Sequence, residues 1–418
     1  MQSTEPVRTR REFLGRGLTL AAAAATVPSF LTRAAFALDD RATAEAPQGG
    51  GDQPVLVVLQ LAGGNDGLNT LVPFGNDAYR QARPSLALPT KELLRLNDEL
   101  AFHPALRPLK ALYDEGHLAV VQGVGYPNPD RSHFRSMEIW ETASDSDRYE
   151  RLGWLGRYFD NHCQGEPEAA LCGMRLGRQM PQAFANLSSL GISLQRPEQY
   201  RWLPSRPDGR QEEVYRALSE AALPGDGALD FLQRTALNAN LSSDRILALA
   251  KGDSQGAYPD SALAQDLKVI AQMIGGGLST RVYYASLGGF DTHAQQADEH
   301  AELLADLTDS LAAFLADLRA RRVAERVVVM AFSEFGRRVE ENASGGTDHG
   351  AAGLMFLAGD PIKPGLLGRY PSLTDLERGD LRHTVDFRQV YATILNRWLQ
   401  ADASKVLGRS FAPLDLLA

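Results

Sequence analysis

Five short apolar runs, each closing on glycine or polar residues, constrain this chain more than any other feature: residues 54–61 (PVLVVLQL), 118–124 (LAVVQGV), 281–286 (RVYYAS), 326–332 (RVVVMAF) and 354–357 (LMFL). Runs without polar alternation read as strands buried on both faces. Between them lie patterns of helical period. Leu303, Leu304, Leu307, Leu311, Phe314, Leu315 and Leu318 recur every three or four residues, as do Leu263, Leu267, Ile270 and Ile274, and residues 385–399 read as a closing helix. Buried strands alternating with amphipathic helices predict an α/β fold, a three-layer α/β/α sandwich around a mainly parallel sheet. The stretch 153–251 is less regular, with helical pieces at 154–162, 212–223 and 229–250, and is a candidate helical cap on a single domain spanning 53–418.

Composition removes several alternatives. With 418 residues, 44% hydrophobic content, two cysteines and a net charge of -9, the chain is neither a disulfide-dense miniature, nor disordered, nor a polybasic nucleic-acid binder. No internal run approaches the roughly 18–20 apolar residues of a membrane span.

The first 37 residues are not fold material. Arg10 and Arg11, followed by Phe13 and Leu14, precede an alanine-rich apolar stretch and the small-residue sequence Ala35-Phe36-Ala37. This reads as a twin-arginine signal peptide cleaved after Ala37, with residues 38–52, including Gly49, Gly50 and Gly51, as a linker. Export through the twin-arginine translocase places the mature protein in the periplasm or beyond. That route carries folded proteins, so it favours a cofactor loaded before export. The exported compartment is oxidising, so Cys163 and Cys172 are expected to close a small loop as a disulfide; buried thiols and soft metal ligands are the alternatives.

In an open α/β sheet, sites form beyond the carboxyl ends of the strands. Chemically capable residues collect there: Asp66 after the first run; Arg131, Ser132, His133 and Arg135 after the second; Asp291 and His293 after the third; Glu334 and Arg337 after the fourth; then Asp348 and His349 in a glycine-flanked segment. Oxygen and imidazole ligands, a hydroxyl and guanidinium groups are what metal-assisted hydrolysis needs. Each piece also has a plainer role. Asp66 sits between glycines as a turn residue would, Asp291 is placed to cap the long helix, and Glu334 needs Arg337 or an ion at that depth. Ser132 opens a helix, as an N-cap or as a nucleophile beside a bound anion. Arg131 and Arg135 either clamp an oxyanion or flank that helix. His103, His117, His162, His300 and His383 lack such neighbourhoods and read as structural or surface residues.

These segments together, 59–70 (LQLAGGNDGLNT), 131–134 (RSHF), 289–293 (GFDTH), 332–337 (FSEFGR) and 346–350 (GTDHG), resemble those of the bacterial domain-of-unknown-function family 1501, whose members carry twin-arginine signals. That family in turn resembles a divergent branch of the alkaline phosphatase and sulfatase superfamily. The resemblance implies an exported metal-dependent hydrolase of phosphate or sulfate esters, acting on a small-molecule or polysaccharide ester. It implies one or two divalent ions (Zn, Mn, Ca or Mg) on Asp66, Asp291, His293, Glu334, Asp348 and His349. Ser132 would be the nucleophile, His133 a general acid, and Arg131, Arg135 and Arg337 the anion clamp. The superfamily's Asp-His pair is Glu334-Phe335 here, a departure that supports a rival: a non-catalytic periplasmic binding or assembly protein with a decayed metal site. A redox role finds no dinucleotide fingerprint, cysteine cluster or haem motif.

Overall fold

Side chains along Val55–Leu61 (β1) alternate between two cores, which is what an apolar strand with a layer on each face requires. Val55, Val57, Leu59 and Leu61 join one cluster, Leu56 and Val58 the other. The computed structural model describes residues 53–163, 169–188, 190–199 and 242–418. Within them β1 is followed by Leu118–Gly125 (β2), Gly173–Leu176 (β3), Ile192–Leu194 (β4), Val282–Leu287 (β5), Val327–Phe332 (β6), Arg337–Glu341 (β7), Thr347–His349 (β8), Gly353–Ala358 (β9), Gly365–Leu367 (β10) and Val385–Asp386 (β11). The main sheet has the order β10-β2-β9-β6-β1-β5-β3-β4, and β11 also pairs with β2. β1 is central: Leu56 faces Val282 on one side and Val328 on the other, both in parallel ladders.

Within the main sheet, only β9 runs antiparallel to its neighbours among the described strands. Its direction matters for the site, because the segment that precedes β9, rather than the one that follows it, reaches the carboxyl edge of the parallel strands. Residues 346–350 therefore arrive at the same edge as the segments following β1, β2, β5 and β6.

Helices cover both faces, giving the α/β/α sandwich. Arg107–Asp114 (α1), Ala262–Gly275 (α4) and Gln296–Ala320 (α5) pack their leucines on the face holding Val57 and Leu59. His133–Thr142 (α2), Trp154–His162 (α3) and Phe387–Thr393 (α6) cover the face holding Leu56 and Val58. The 25 residues of α5 span about 37 Å at 1.5 Å per residue, and its buried stripe runs through Leu304, Leu307, Leu311, Phe314, Leu315 and Leu318.

Two expectations change. Residues 153–251 are not wholly cap: β3 and β4 extend the main sheet beyond β5, and Trp154–His162 lies on a core face. Residues 242–250 are helical; the expected helix at 212–223 and the first part of the one at 229–250 lie outside the described residues, as do the signal and linker at 1–52. The closing helix also starts later than its apolar pattern suggests. Val385 pairs with Val124 as strand, and Asp386 then caps α6 in a reciprocal box with Gln389.

Candidate metal centre

β5 ends in Gly288-Gly289, after which Phe290 is fully buried and Asp291 turns outward. The chain after β1 passes so close that a Cβ on Gly63 would lie 2.4 Å from the Asp291 backbone nitrogen, and Gly63 itself has φ +122°. Only glycine fits there. Asp291 Oδ1 accepts a hydrogen bond from Arg337 Nη2 at 2.7 Å and lies 2.9 Å from His349 Nε2 and 3.1 Å from His293 Nε2. Its Oδ2 is 3.3 Å from His133 Nε2. Partial burial opposes ionisation, but the hydrogen bonds from His349 and Arg337 and the Arg337 charge outweigh it. The carboxyl is held well below the usual carboxylate range.

The two inner histidines are aimed by their second nitrogens. His349 Nδ1 donates to the Arg131 carbonyl at 2.8 Å, which leaves Nε2 to face Asp291. His133 opens α2, and its Nδ1 lies 2.9 Å from Glu334 Oε1, an oxygen that also accepts the Gly63 N–H at 2.8 Å. His133 Nε2 is buried and has no hydrogen-bond partner. The Phe335 ring packs on both imidazoles, with centroids 5.0 Å from His133 and 4.5 Å from His349. One ligand atom each from His133, Asp291 and His349 fall within 4.8 Å of one another. His293 Nε2 adds a fourth, 2.9 Å from His349 Nε2. Two imidazole nitrogens meeting at that distance beside a carboxylate need a proton or a cation between them.

The other expected residues are placed differently. Asp66 is fully buried away from this group: its Oδ2 accepts from Arg83 Nη1 and Gln296 Nε2 at 2.5 Å each, and its Oδ1 from Leu68 N at 3.2 Å. Burial opposes its ionisation, yet the Arg83 charge and hydrogen bond hold its pKa low. With its charge already balanced, it caps the turn Gly67–Thr70 instead of joining the histidines. Glu334 supports His133 from behind. Asp348 lies at the rim, 3.5 Å from His293 Nδ1 and hydrogen-bonded by Asn342, whose bond is the main cause of its lowered pKa.

The three arginines are all engaged. Arg337 is fully buried and donates to the carbonyls of Gly63, Gly64, Phe290 and Thr347 as well as to Asp291, so it ties three segments together. Arg131 pairs with Asp380. Arg135 turns away to Glu138 and to the carbonyls of Asp145, Ser146 and Arg148. Ser132 occupies the N-cap of α2, is exposed, and makes no side-chain cap bond. Cys163 and Cys172 form the disulfide, with Cα atoms 6.4 Å apart. His103 and His300 are buried in a separate polar network.

Sequence reasoning did not find Arg83 or Phe335. An arginine just past a short amphipathic helix carries no sequence mark of a partner 17 residues away. In the sequence Phe335 stands only where the superfamily carries a histidine, with no sign that its ring packs on His133 and His349.

Residues 259–410 match the family described as protein of unknown function (DUF1501). The matched segment carries Asp291, His293, Glu334, Arg337, Asp348 and His349, whereas His133 and Asp66 precede it. No curated protein sequence matches the chain. Among solved structures, the chain is similar to a Bacteroides thetaiotaomicron protein described under the metabolism of multiple glycosaminoglycans, with 11% identity over 87% of this chain and 76% of that one and a TM-score of 0.40. It is also similar to a protein in the alkaline phosphatase superfamily from Vibrio parahaemolyticus (11% identity, 82% and 70% covered, TM-score 0.33). A third is the C-terminal periplasmic domain of EcEptC from Escherichia coli in complex with Zn (10% identity, 75% of each chain, TM-score 0.33). The chain's own strand order, rather than these likenesses, establishes the sandwich.

Proposed function

We propose that this protein is an exported hydrolase of phosphate or sulfate esters, with a divalent ion held by His133, Asp291 and His349 and with His293 beside them. The observation that carries the reading is His133 Nε2, a solvent-shielded nitrogen that makes no hydrogen bond although it lies 3.3 Å from Oδ2 of Asp291, a carboxylate already surrounded by imidazoles. A ring nitrogen shielded from water and left without a hydrogen bond is costly unless a cation takes its lone pair. Three imidazoles and one carboxylate suit zinc or manganese better than calcium or magnesium. An ion there would supply Lewis acidity toward an ester oxygen and toward water.

The chain's own residues do the remaining work. Glu334 and the Arg131 carbonyl fix the ring orientation of His133 and His349, and Arg337 holds Asp291 in place. The exposed Ser132 hydroxyl stands next to His133 in sequence, free of any capping role, and is the side-chain nucleophile in this reading; solvent water is the other. Export by the twin-arginine translocase to the periplasm rests on the Arg10-Arg11 signal.

One observation favours the alternative, a non-catalytic periplasmic binding or assembly protein on a decayed site: Arg131, Arg135 and Arg337 are all committed to the protein, so none is free to clamp an oxyanion. Elemental analysis of the mature protein, purified without chelators, decides between them. Stoichiometric zinc or manganese that is lost in Asp291→Ala, with a native circular-dichroism spectrum retained, is the expected result. A native protein that neither contains nor takes up metal overturns the hydrolase reading.

A further inference from the structure

Beside the histidine group opens a cleft of about 470 Å³, within the size range of small-ligand sites. One wall is a single face of α2, where His133, Met137 and Glu141 recur at four-residue spacing and all line the opening. Opposite, Gly288 and Gly289 offer backbone without side chains. At the rim stands Phe134, 91% exposed, an extreme for an aromatic side chain and one found here at the mouth of a cleft.

The ionisable groups lining this cleft are three carboxyls and one imidazole. Glu334 is matched by His133, and Glu138 by Arg135 Nη1 at 2.9 Å. Glu141 accepts hydrogen bonds from the Gln182 N–H at 2.8 Å and the Tyr284 hydroxyl at 3.4 Å; burial pushes its pKa up to about 7, and the Arg175 charge only partly offsets this. Among the described residues lining the cleft there is no lysine or arginine. Away from the cation proposed at His133, an anionic group lodged between Phe134 and Met137 would be desolvated beside Glu138 and Glu141 with no lysine or arginine lining the cleft to receive it. A flat uncharged ring would instead gain the Phe134 face and the Met137 thioether.

We infer that this cleft is a subsite for the alcohol part of the substrate, that it takes an uncharged ring stacked against Phe134 and Met137, and that it rejects the same ring carrying a carboxylate. The word substrate rests on the hydrolase reading; the binding preference does not.

The test separates the two. The full-length mature protein carrying 4-fluorophenylalanine at position 134 is titrated with benzyl alcohol and with benzoate, followed by fluorine NMR. In parallel, the native protein is assayed on phenyl and 4-carboxyphenyl esters of phosphate and of sulfate. Expected is a saturable shift with benzyl alcohol, binding of benzoate about tenfold weaker or worse, and Met137→Lys bringing benzoate level with the alcohol. A matching preference for the phenyl ester should appear in KM. If no ester is cleaved but the ring preference holds, the hydrolase reading fails and the subsite stands. If esters are cleaved while benzoate binds as well as benzyl alcohol, or neither ligand perturbs the fluorine signal, the subsite is overturned and hydrolysis stands.

Discussion

Glu334 shows how one residue can be legible in kind and not in role. An acidic group closing a strand as apolar as Val327–Phe332 must have a partner, and its sequence neighbourhood suggested Arg337 or an ion. In the folded chain it receives the Gly63 N–H and faces His133 Nδ1, while Arg337 goes to Asp291 and four carbonyls. Its function is to hold the imidazole so that Nε2, not Nδ1, faces Asp291. Glu334→Gln should therefore weaken metal affinity by about 10- to 100-fold, the usual cost of losing such a support, without emptying the site. Competition with a chelator of known affinity measures it; an unchanged affinity would mean that His133 is oriented by other contacts, such as the Phe335 ring.

At the scale of elements, the strand and helix order was readable because burial imposes a period of two or of 3.6, and both periods survive in the sequence. The join between elements was less readable. Val385 looks like the first residue of an apolar helix, but a free ladder position beside Val124 claims it as strand, and sequence pattern carries no trace of that neighbour. The turn after β1 is a similar case. Gly64 sits at φ +86°, and a Cβ there would come within 2.4 Å of the Phe335 ring that packs on His133 and His349. Gly64→Ala is expected to destabilise the fold by about 1–3 kcal/mol through backbone strain and overpacking, and to lower metal content by displacing that ring. Thermal unfolding and elemental analysis on the same sample check both halves.

For the whole molecule, the consequential feature is a buried polar network running beneath the candidate centre. It joins Asn65, Asp66 and Thr70 after β1 with Arg83, Gln296 and His300. Burial, ahead of all other influences, pushes His300 down to about 4, against an ordinary value of 6.5. Between those values the unfolded chain binds the proton and the folded chain does not. Stability is therefore full above about pH 6.5 and is lost as the pH falls toward 4, by about 3 kcal/mol for 2.5 units. His300→Gln, which keeps a donor for Asn65, should flatten that dependence in denaturant unfolding compared at pH 4.5 and 7.5. A variant with the native slope would assign the acid sensitivity elsewhere, His103 being next, since burial lowers it to about 4 as well.

By itself the sequence determined the layered α/β architecture and the edge at which chemistry collects, because apolar periodicity is a local record of burial. It also determined which segments reach that edge. Tertiary structure alone decided which groups meet there: His133 faces Glu334 across 201 residues, Arg337 takes Asp291, and Arg83 removes Asp66 from the candidate ligands. A buried carboxylate is balanced by whichever cation or N–H the folded chain brings within about 3 Å. That distance is set by packing between remote segments, so residue type marks the candidates and only the fold assigns the partners.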